Sequence, residues 1–436
     1  MFDKICNVVN GKNVLILGFG REGKSTYNFL CKYAKCKSVT IADSRELEPV
    51  ENAELKVGAD YQKGIEKFDV IIKSPGIVLE NQSEDLLKKI TSQTELFFMC
   101  FSDQTIGITG TKGKSTTSTL IYHILKDKVD DCLLMGNIGI PSFDMMEQID
   151  DKTIIVYELS CHQLEYTNIS PKTAIMLNLY PEHLDHYGTY EKYVHAKENI
   201  YRYQKENDLL ICNAANLPKE CGGKVLSISS DGTSADIMTH ERNIRYNGKE
   251  ITINENDTAL VGNHNVFNIA AAYAVCGEYG VNDEEFFASL KTYKPLAHRL
   301  EFIGEKDSVK YYDDSISTIC ETTIQALESL KNVGSVIIGG MDRGIDYTPL
   351  TEYLKNAEVD NIILIPNTGE RIAEILKNTD IAEKVVMADD LRDAAEKAKK
   401  ITGKGKICVM SPAAASYGFF KNFEERGKAF KEYIGL

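Results

Sequence analysis

The sequence predicts a mixed α/β protein of three domains, and two observations carry that reading. Short apolar runs of strand length alternate with helical stretches along most of the chain. Two of those runs also feed directly into glycine turns that open helices, at Gly18–Gly23 and at Gly110–Gly113. A length of 436 residues fits two or three domains. The expected boundaries are 1–102, 103–296 and 297–436. No Pro/Gly/Ser-rich linker, low-complexity tract or internal repeat separates them, so the joints near Phe101 and Leu296 are expected to be short.

Composition narrows the function classes. Apolar residues at 43% and charged residues at 26% are those of an ordinary soluble chain. The formal net charge of −14 argues against nucleic acid or an acidic membrane as the main partner. No apolar run approaches the roughly 18 residues of a membrane helix, and no signal peptide is visible. Eleven cysteines, an odd count without a C-x-x-C pair, fit buried thiols in a reducing cytosol. A cytoplasmic, monomeric protein acting on small molecules is expected.

In the first segment, Asn13–Leu17 reads as a buried strand, and Gly18-Phe19-Gly20-Arg21-Glu22-Gly23 follows and opens a helix to Cys31. A second strand, Val39–Ala42, ends in Asp43. Tight turn, helix N-terminus and strand-end carboxylate make up the dinucleotide-type fingerprint of a Rossmann-like domain. The alternative is that the glycines serve only close helix–strand packing. A third strand, Val70–Ile72, runs into Lys73-Ser74-Pro75-Gly76, a turn at the strand end where such sheets bind ligands.

The central segment carries a P-loop-like turn, GITGTKGKSTT from Gly107 to Thr117. Backbone N–H groups and a helix N-terminus would face phosphates, Lys114 would reach the outer ones, and the Ser115 hydroxyl can ligate Mg²⁺. The spacing is shorter than G-x-x-x-x-G-K-[ST], because Ile108 stands where that pattern has its first glycine. A strand over Thr153–Tyr157 delivers Glu158, placed to bind Mg²⁺ unless it is simply solvated. Another strand, Thr173–Leu177, leads to Asn178 and the loop Pro181–His186. His183 and His186 alone could hint at zinc, but no cysteine or third histidine lies at ligand spacing in the sequence, so a hard Mg²⁺ is favoured. A helix is expected from Tyr190 to Tyr203, with Lys197 reading, by itself, as a solvated lysine. Asn265 and Asn268 lie one turn apart at the start of an Ala-rich helix and could read a base edge, unless one of them caps it.

The third segment repeats the α/β pattern and is expected to be a second Rossmann-like unit. Strands at Val309–Tyr312, Val336–Ile338, Ile362–Ile365, Val385–Met387 and Ile407–Met410 end in polar or small-residue loops.

Taken together, GTKGKST (Gly110–Thr116), MGNIG (Met135–Gly139), YELSCHQL (Tyr157–Leu164), NLYPEHLDHYGTYEKYVHAK (Asn178–Lys197) and GNHNVFNIAAA (Gly262–Ala272) resemble the Mur ligase family. These are ATP-dependent amide ligases of peptidoglycan precursor synthesis. HRLE from His298, YDDS with Thr318, IIGGMDRG and SPAAAS look like the family's C-terminal domain. Asp43-Ser44-Arg45 and Ser74-Pro75-Gly76 are similar to the branch that adds D-glutamate to UDP-N-acetylmuramoyl-L-alanine.

The resemblance implies ATP, two Mg²⁺ ions, and phosphorylation of the alanyl carboxylate before attack by the glutamate amine. Catalysis would fall to Lys114, Glu158, His183 and Lys197. Metal would fall to Ser115, Glu158, His183 and a Lys197 carried as N6-carboxylysine. ATP contacts would come from Gly110, Thr111, Lys112, Gly113, Lys114, Ser115, Thr116, Asn265, Asn268, Arg299 and Asp314. The UDP-sugar would meet Gly18, Asp43, Ser44, Arg45, Gly76, Asn137, Ser160 and Gln163. Thr318, Arg343, Ser416, Tyr417 and Phe423 would surround glutamate. Two departures, Ile316 and Arg343 where the family commonly has lysines, bear on the glutamate's stereochemistry.

L-glutamate therefore stays open as the added amino acid. A folylpolyglutamate-type ligase would not need the first domain. A nicotinamide-dependent oxidoreductase would leave Lys114 and Glu158 without a task, and a non-catalytic nucleotide-binding partner is the third alternative.

Overall fold

The computed structural model describes residues 2–436. The chain forms a mixed α/β structure with three sheets among the described residues. It divides into two compact units. One holds the chain up to Asp257 together with Val266–Tyr293, and the other holds Thr258–Asn265 and Lys294–Leu436.

The first unit contains two sheets. Strands β1 (Asn13–Leu17), β2 (Ser38–Asp43), β3 (Glu54–Val57), β4 (Val70–Lys73) and β5 (Ile90–Thr91) run parallel in the order β3-β2-β1-β4-β5. The order reverses beside β1, which opens a crevice at the carboxyl ends of β1 and β4.

The second sheet holds β6 (Thr105–Thr109), β7 (Cys132–Gly136), β8 (Ile154–Glu158), β9 (Thr173–Met176), β10 (Leu209–Asn213) and β11 (Lys224–Ser229). It continues through β12 (Ile237–His240), β13 (Asn243–Tyr246) and β14 (Lys249–Thr252). Its order is β14-β13-β12-β11-β10-β9-β6-β8-β7. β7 through β12 are parallel, and β13 and β14 form an antiparallel edge.

Both sheets of this unit share one apolar core. It runs from Val14, Ile16 and Phe29 through Phe97, Phe98 and Phe101 of helix Gln93–Phe101 to Met135, Tyr157 and Met176. Helix Gln93–Phe101 is buried almost all round, so Phe101 is a core residue.

The second unit carries β15 (Glu301–Lys306), β16 (Val309–Asp313), β17 (Val333–Gly339), β18 (Asn361–Ile365), β19 (Val385–Met387) and β20 (Ile407–Met410) in the order β15-β16-β20-β17-β18-β19. Only β15 is antiparallel to its neighbour. Buried β17 and β18 read as continuous apolar runs because helices cover both faces of a parallel sheet.

The helix expected to reach Tyr203 stops at Glu198, where Asn199 turns its side-chain amide back to the Leu164 and Glu165 carbonyls. Lys197 thus sits in the last turn, facing the core.

Candidate active site

β6 lies between β8 and β9, so the chain leaves its carboxyl end where the neighbouring connections diverge. The turn there is built on two glycines that no other residue could replace. Gly113, the N-cap of helix Lys114–Leu125, has φ of 89°, and a Cβ on it would sit 2.5 Å from Asn268 Oδ1. A Cβ on Gly110 would sit 2.8 Å from Leu177 Cβ.

The loop is pinned from outside. Thr111 N–H donates to the Asn178 carbonyl at 2.7 Å, its hydroxyl pairs with Tyr193 Oη at 2.7 Å, and Lys112 Nζ reaches Glu182 at 3.0 Å. Lys114 Nζ donates to the carbonyls of Gly110 and Thr111, each at 2.9 Å, and so lies over the turn. Ser115 and Thr116 are buried in the first helical turn.

Glu158 ends β8 beside this loop and is 1% exposed, which removes the solvated reading. Its Oε1 accepts from Asn137 Nδ2 at 2.8 Å, and Asn137 N–H donates to the Glu158 carbonyl at 3.0 Å. Its Oε2 is buried with no hydrogen-bond partner. A buried carboxylate oxygen left in this state is costly unless a cation or donor completes it. The hard oxygen donors of Glu158 and Ser115 suit Mg²⁺.

Lys197, read alone as a solvated lysine, is likewise 1% exposed. Its Nζ donates to the Gly110 carbonyl at 3.0 Å and lies 4.9 Å from the Tyr193 ring centre. Burial, and then the Lys114 charge, push the Lys197 amine down to about 7.

His183 has φ of 57° at the start of helix Leu184–Tyr187, and its exposed imidazole is pushed below its ordinary range by burial of its inner side. Here the structure corrects the sequence reading about soft ligands. Cys161 and His162, distant in sequence, converge on His183, with one ligand atom from each within 4.8 Å of the others. The His186 ring is 4.4 Å from that of His162.

The crevice of the first sheet brings Gly18, Ser74 and Asp43 together. Ser74 donates to the Gly18 carbonyl at 2.9 Å, and a Cβ on Gly18 would meet Ser74 at 2.8 Å. Asp43 is buried and already engaged. It accepts from Phe19 N–H at 2.8 Å and from Arg45 N–H, Nε and Nη2 at 2.9 Å each. The Arg45 guanidinium holds the Asp43 carboxyl well below the usual carboxylate range. Ser44, Arg45, Gly76 and Asn137 are exposed.

Ser160 and Gln163 form a capping box on helix Cys161–Leu164, and Gln163 Nε2 donates to Glu22 at 2.7 Å. Glu22 is raised to about 6 by burial. Lys73, not singled out as a site residue from the sequence, is buried 3.5 Å from Glu165 and 4.9 Å from the Tyr166 ring centre. The signal for it was a charge closing the otherwise apolar strand β4.

In the second unit, Asp314 is fully buried and accepts from Ser317 and Ser411 hydroxyls at 2.6 and 2.7 Å and from Leu300 N–H at 3.1 Å. Burial raises it to about 6. The loops after β17 and β20 meet: Gly339 N–H donates to Pro412 and Met341 N–H to Ala415. Arg426, an unforeseen buried arginine, ties them to the β16 loop through the Ala414 and Ser315 carbonyls at 2.9 and 2.7 Å. Ser416 is buried, Thr318 and Phe423 are partly so, and Arg343 and Tyr417 are exposed. Arg299 keeps a buried Nε without a hydrogen-bond partner. Asn265, within the helix that begins at Asn263, donates from Nδ2 to the Val261 carbonyl at 2.7 Å.

A glycine loop at a helix N-terminus, a strand-end carboxylate and a buried lysine at one end of a parallel sheet define a nucleotide-dependent enzyme of P-loop type. The comparisons with known proteins make this specific. Residues 108–276 match the Mur ligase middle domain, and residues 298–414 match the Mur ligase glutamate ligase domain. The chain is 32% identical, over 99% of its length and 98% of the relative, to a UDP-N-acetylmuramoylalanine--D-glutamate ligase of Clostridium perfringens. It is 31% identical over the same shares to the protein of that name from Clostridium acetobutylicum. Among solved structures it is similar to the MurF ligase of Thermotoga maritima in complex with ADP (TM-score 0.61, 18% identity, 100% of this chain and 99% of that one). It is also similar to a pseudomurein peptide ligase of Methanothermus fervidus (TM-score 0.58, 15% identity, 97% and 99%). The chain belongs to the Mur ligase family.

Proposed function

We propose that this protein is an ATP-dependent ligase that joins D-glutamate to UDP-N-acetylmuramoyl-L-alanine, releasing ADP and phosphate, in peptidoglycan precursor synthesis. The observation that carries the reading is the convergence of the Gly110–Ser115 loop, the unsatisfied Glu158 Oε2 and buried Lys197 at the end of β6. The relatives' shared name supplies the substrates.

A carboxylate is a poor electrophile, so the γ-phosphoryl group of ATP is first transferred to the alanyl carboxylate. The glutamate amine then displaces phosphate through a tetrahedral intermediate. Lys114 neutralises the transferring phosphoryl oxygens, and the loop N–H groups hold the remaining phosphates. Ser115, Glu158, His183 and Lys197 would hold Mg²⁺, which supplies charge neutralisation between phosphate and carboxylate oxygens. Lys197 is suited to act as N6-carboxylysine. An amine pushed down to about 7 is about half neutral at neutral pH, and only a neutral amine captures CO₂.

Residues 1–102 serve as a Rossmann-like domain for the UDP end, through Gly18, Ser44, Arg45 and Gly76, with Asp43 holding Arg45 in place. Residues 103–296 bind ATP. Residues 297–436 serve glutamate through Thr318, Arg343, Ser416, Tyr417 and Phe423, with Arg299 and Asp314 toward ATP. The test is mass spectrometry of products from UDP-N-acetylmuramoyl-L-alanine, ATP and a panel of D- and L-amino acids. Glutamyl addition from the D-isomer is expected. Product from L-glutamate alone would overturn the stereochemical choice, and no product with any amino acid would overturn the ligase.

A further inference from the structure

We propose that Cys161, His162 and His183 form a binding site for a borderline-soft divalent cation of the zinc type, which shares only His183 with the residues proposed for Mg²⁺. Their ligand atoms, one sulfur and two imidazole nitrogens, lie within 4.8 Å of one another. A tetrahedral zinc ion with these ligands needs separations of roughly 3.3–3.6 Å, from bond lengths of about 2.0–2.3 Å. The closure required is at most about 1.2–1.5 Å, and His183, exposed on its outer side, can supply it.

The rest of the site is arranged for ligation. Cys161 is buried at the base, and His162 lies between it and the surface. The Tyr187 hydroxyl is 3.2 Å from His162 Nδ1, and its ring stacks on the imidazole at an interplanar angle of 4°. That contact fixes the ring and leaves Nε2 as the ligand atom, as outer hydrogen bonds do for histidines at zinc. His186 packs against His162 and is oriented by Glu165, whose carboxylate lies 3.2 Å from His186 Nε2.

The charges around the cluster are mixed. Lys73, paired with Glu165 at 3.5 Å, and Lys197 stand near it, and Glu182 lies 3.9 Å from His183 Nε2. A thiolate formed on binding adds the further negative charge that a dication requires.

Thiolate with two imidazoles selects zinc or cobalt over magnesium, and three protein ligands leave a fourth position open. Because His183 is shared, zinc occupancy competes with the phosphoryl chemistry, a consequence that rests on the function proposed above.

Cobalt(II) titration of the full-length protein in excess Mg²⁺ tests the site. The expected result is an equimolar near-ultraviolet thiolate-to-cobalt charge-transfer band that zinc displaces and that Cys161→Ser abolishes. His162→Phe, which keeps the ring volume, should lower zinc affinity by about tenfold or more in a competition assay. No band in the wild type, a band of equal strength in Cys161→Ser, or unchanged zinc affinity in His162→Phe would each overturn the proposal. ATP-dependent phosphate release is followed in the same preparations without zinc. A cobalt band without release retires the ligase reading and keeps the metal site, and release without a band does the reverse.

Discussion

Lys197 Nζ donates to the carbonyl of Gly110 across 3.0 Å, so a lysine from helix Tyr190–Glu198 sits directly beneath the phosphate loop. Two lysines, 114 and 197, therefore serve one turn, and burial leaves the second of them readily neutral.

Carbamylation of Lys197 is a prediction of the proposed mechanism. Lys197→Ala should be nearly inactive and partly rescued by short-chain carboxylates, which restore the missing anion. The sign of the pH effect is set by the depressed amine. Above about 7 it is neutral and captures CO₂; below, each unit of pH lowers the reactive fraction about tenfold. Bicarbonate should therefore restore CO₂-depleted enzyme well at pH 8 and poorly at pH 6. Equal recovery at both, or no rescue of the variant, would contradict the modification.

Lys114→Ala would remove the charge that the proposed mechanism sets against the transferring phosphoryl group. Turnover should fall by roughly two orders of magnitude or more with the fold retained, as judged by circular dichroism and steady-state rates. Near-normal kcat in folded protein would remove Lys114 from the chemistry.

In the proposed function, Asp43 would act on the UDP end through Arg45. Asp43→Ala should leave the buried Phe19 N–H unpaired, costing about 1–3 kcal/mol of stability, and release the guanidinium. KM for the UDP-substrate should rise while kcat and KM for ATP change little. A loss confined to kcat would argue against this role.

Arg343 offers two parallel donors to a carboxylate from an exposed loop. Arg343→Ala should raise KM for glutamate far more than for ATP, since truncating one partner of a desolvated charge pair costs about 2–5 kcal/mol. Arg343→Lys should recover only part of that. Equal effects on both KM values would place the arginine outside the glutamate pocket.

Strands buried on both faces were legible in the sequence because they read as near-continuous apolar runs closed by turn or polar residues: β1, β6, β8, β18 and β20 are examples. The edge of the second sheet was not. β14, Lys249–Thr252, exposes most of its residues and has no apolar face to announce it. Within the site, Lys114 and Glu158 were readable because each closes a local motif. Burial of Lys197, by contrast, depends on Tyr193 and on a loop 87 residues away, and helical spacing alone makes it a surface lysine. The cluster of Cys161, His162 and His183 escaped for the same reason, since its ligands come from two different connections that only the fold brings together.

The most direct test of the central claim is phosphate release by the wild-type protein with ATP, UDP-N-acetylmuramoyl-L-alanine and D-glutamate, and with each omitted in turn. The convergence at the end of β6 predicts release in proportion to ADP and amide product only when all three are present. Release at the same rate with ATP alone, or none from the complete mixture, would contradict the account.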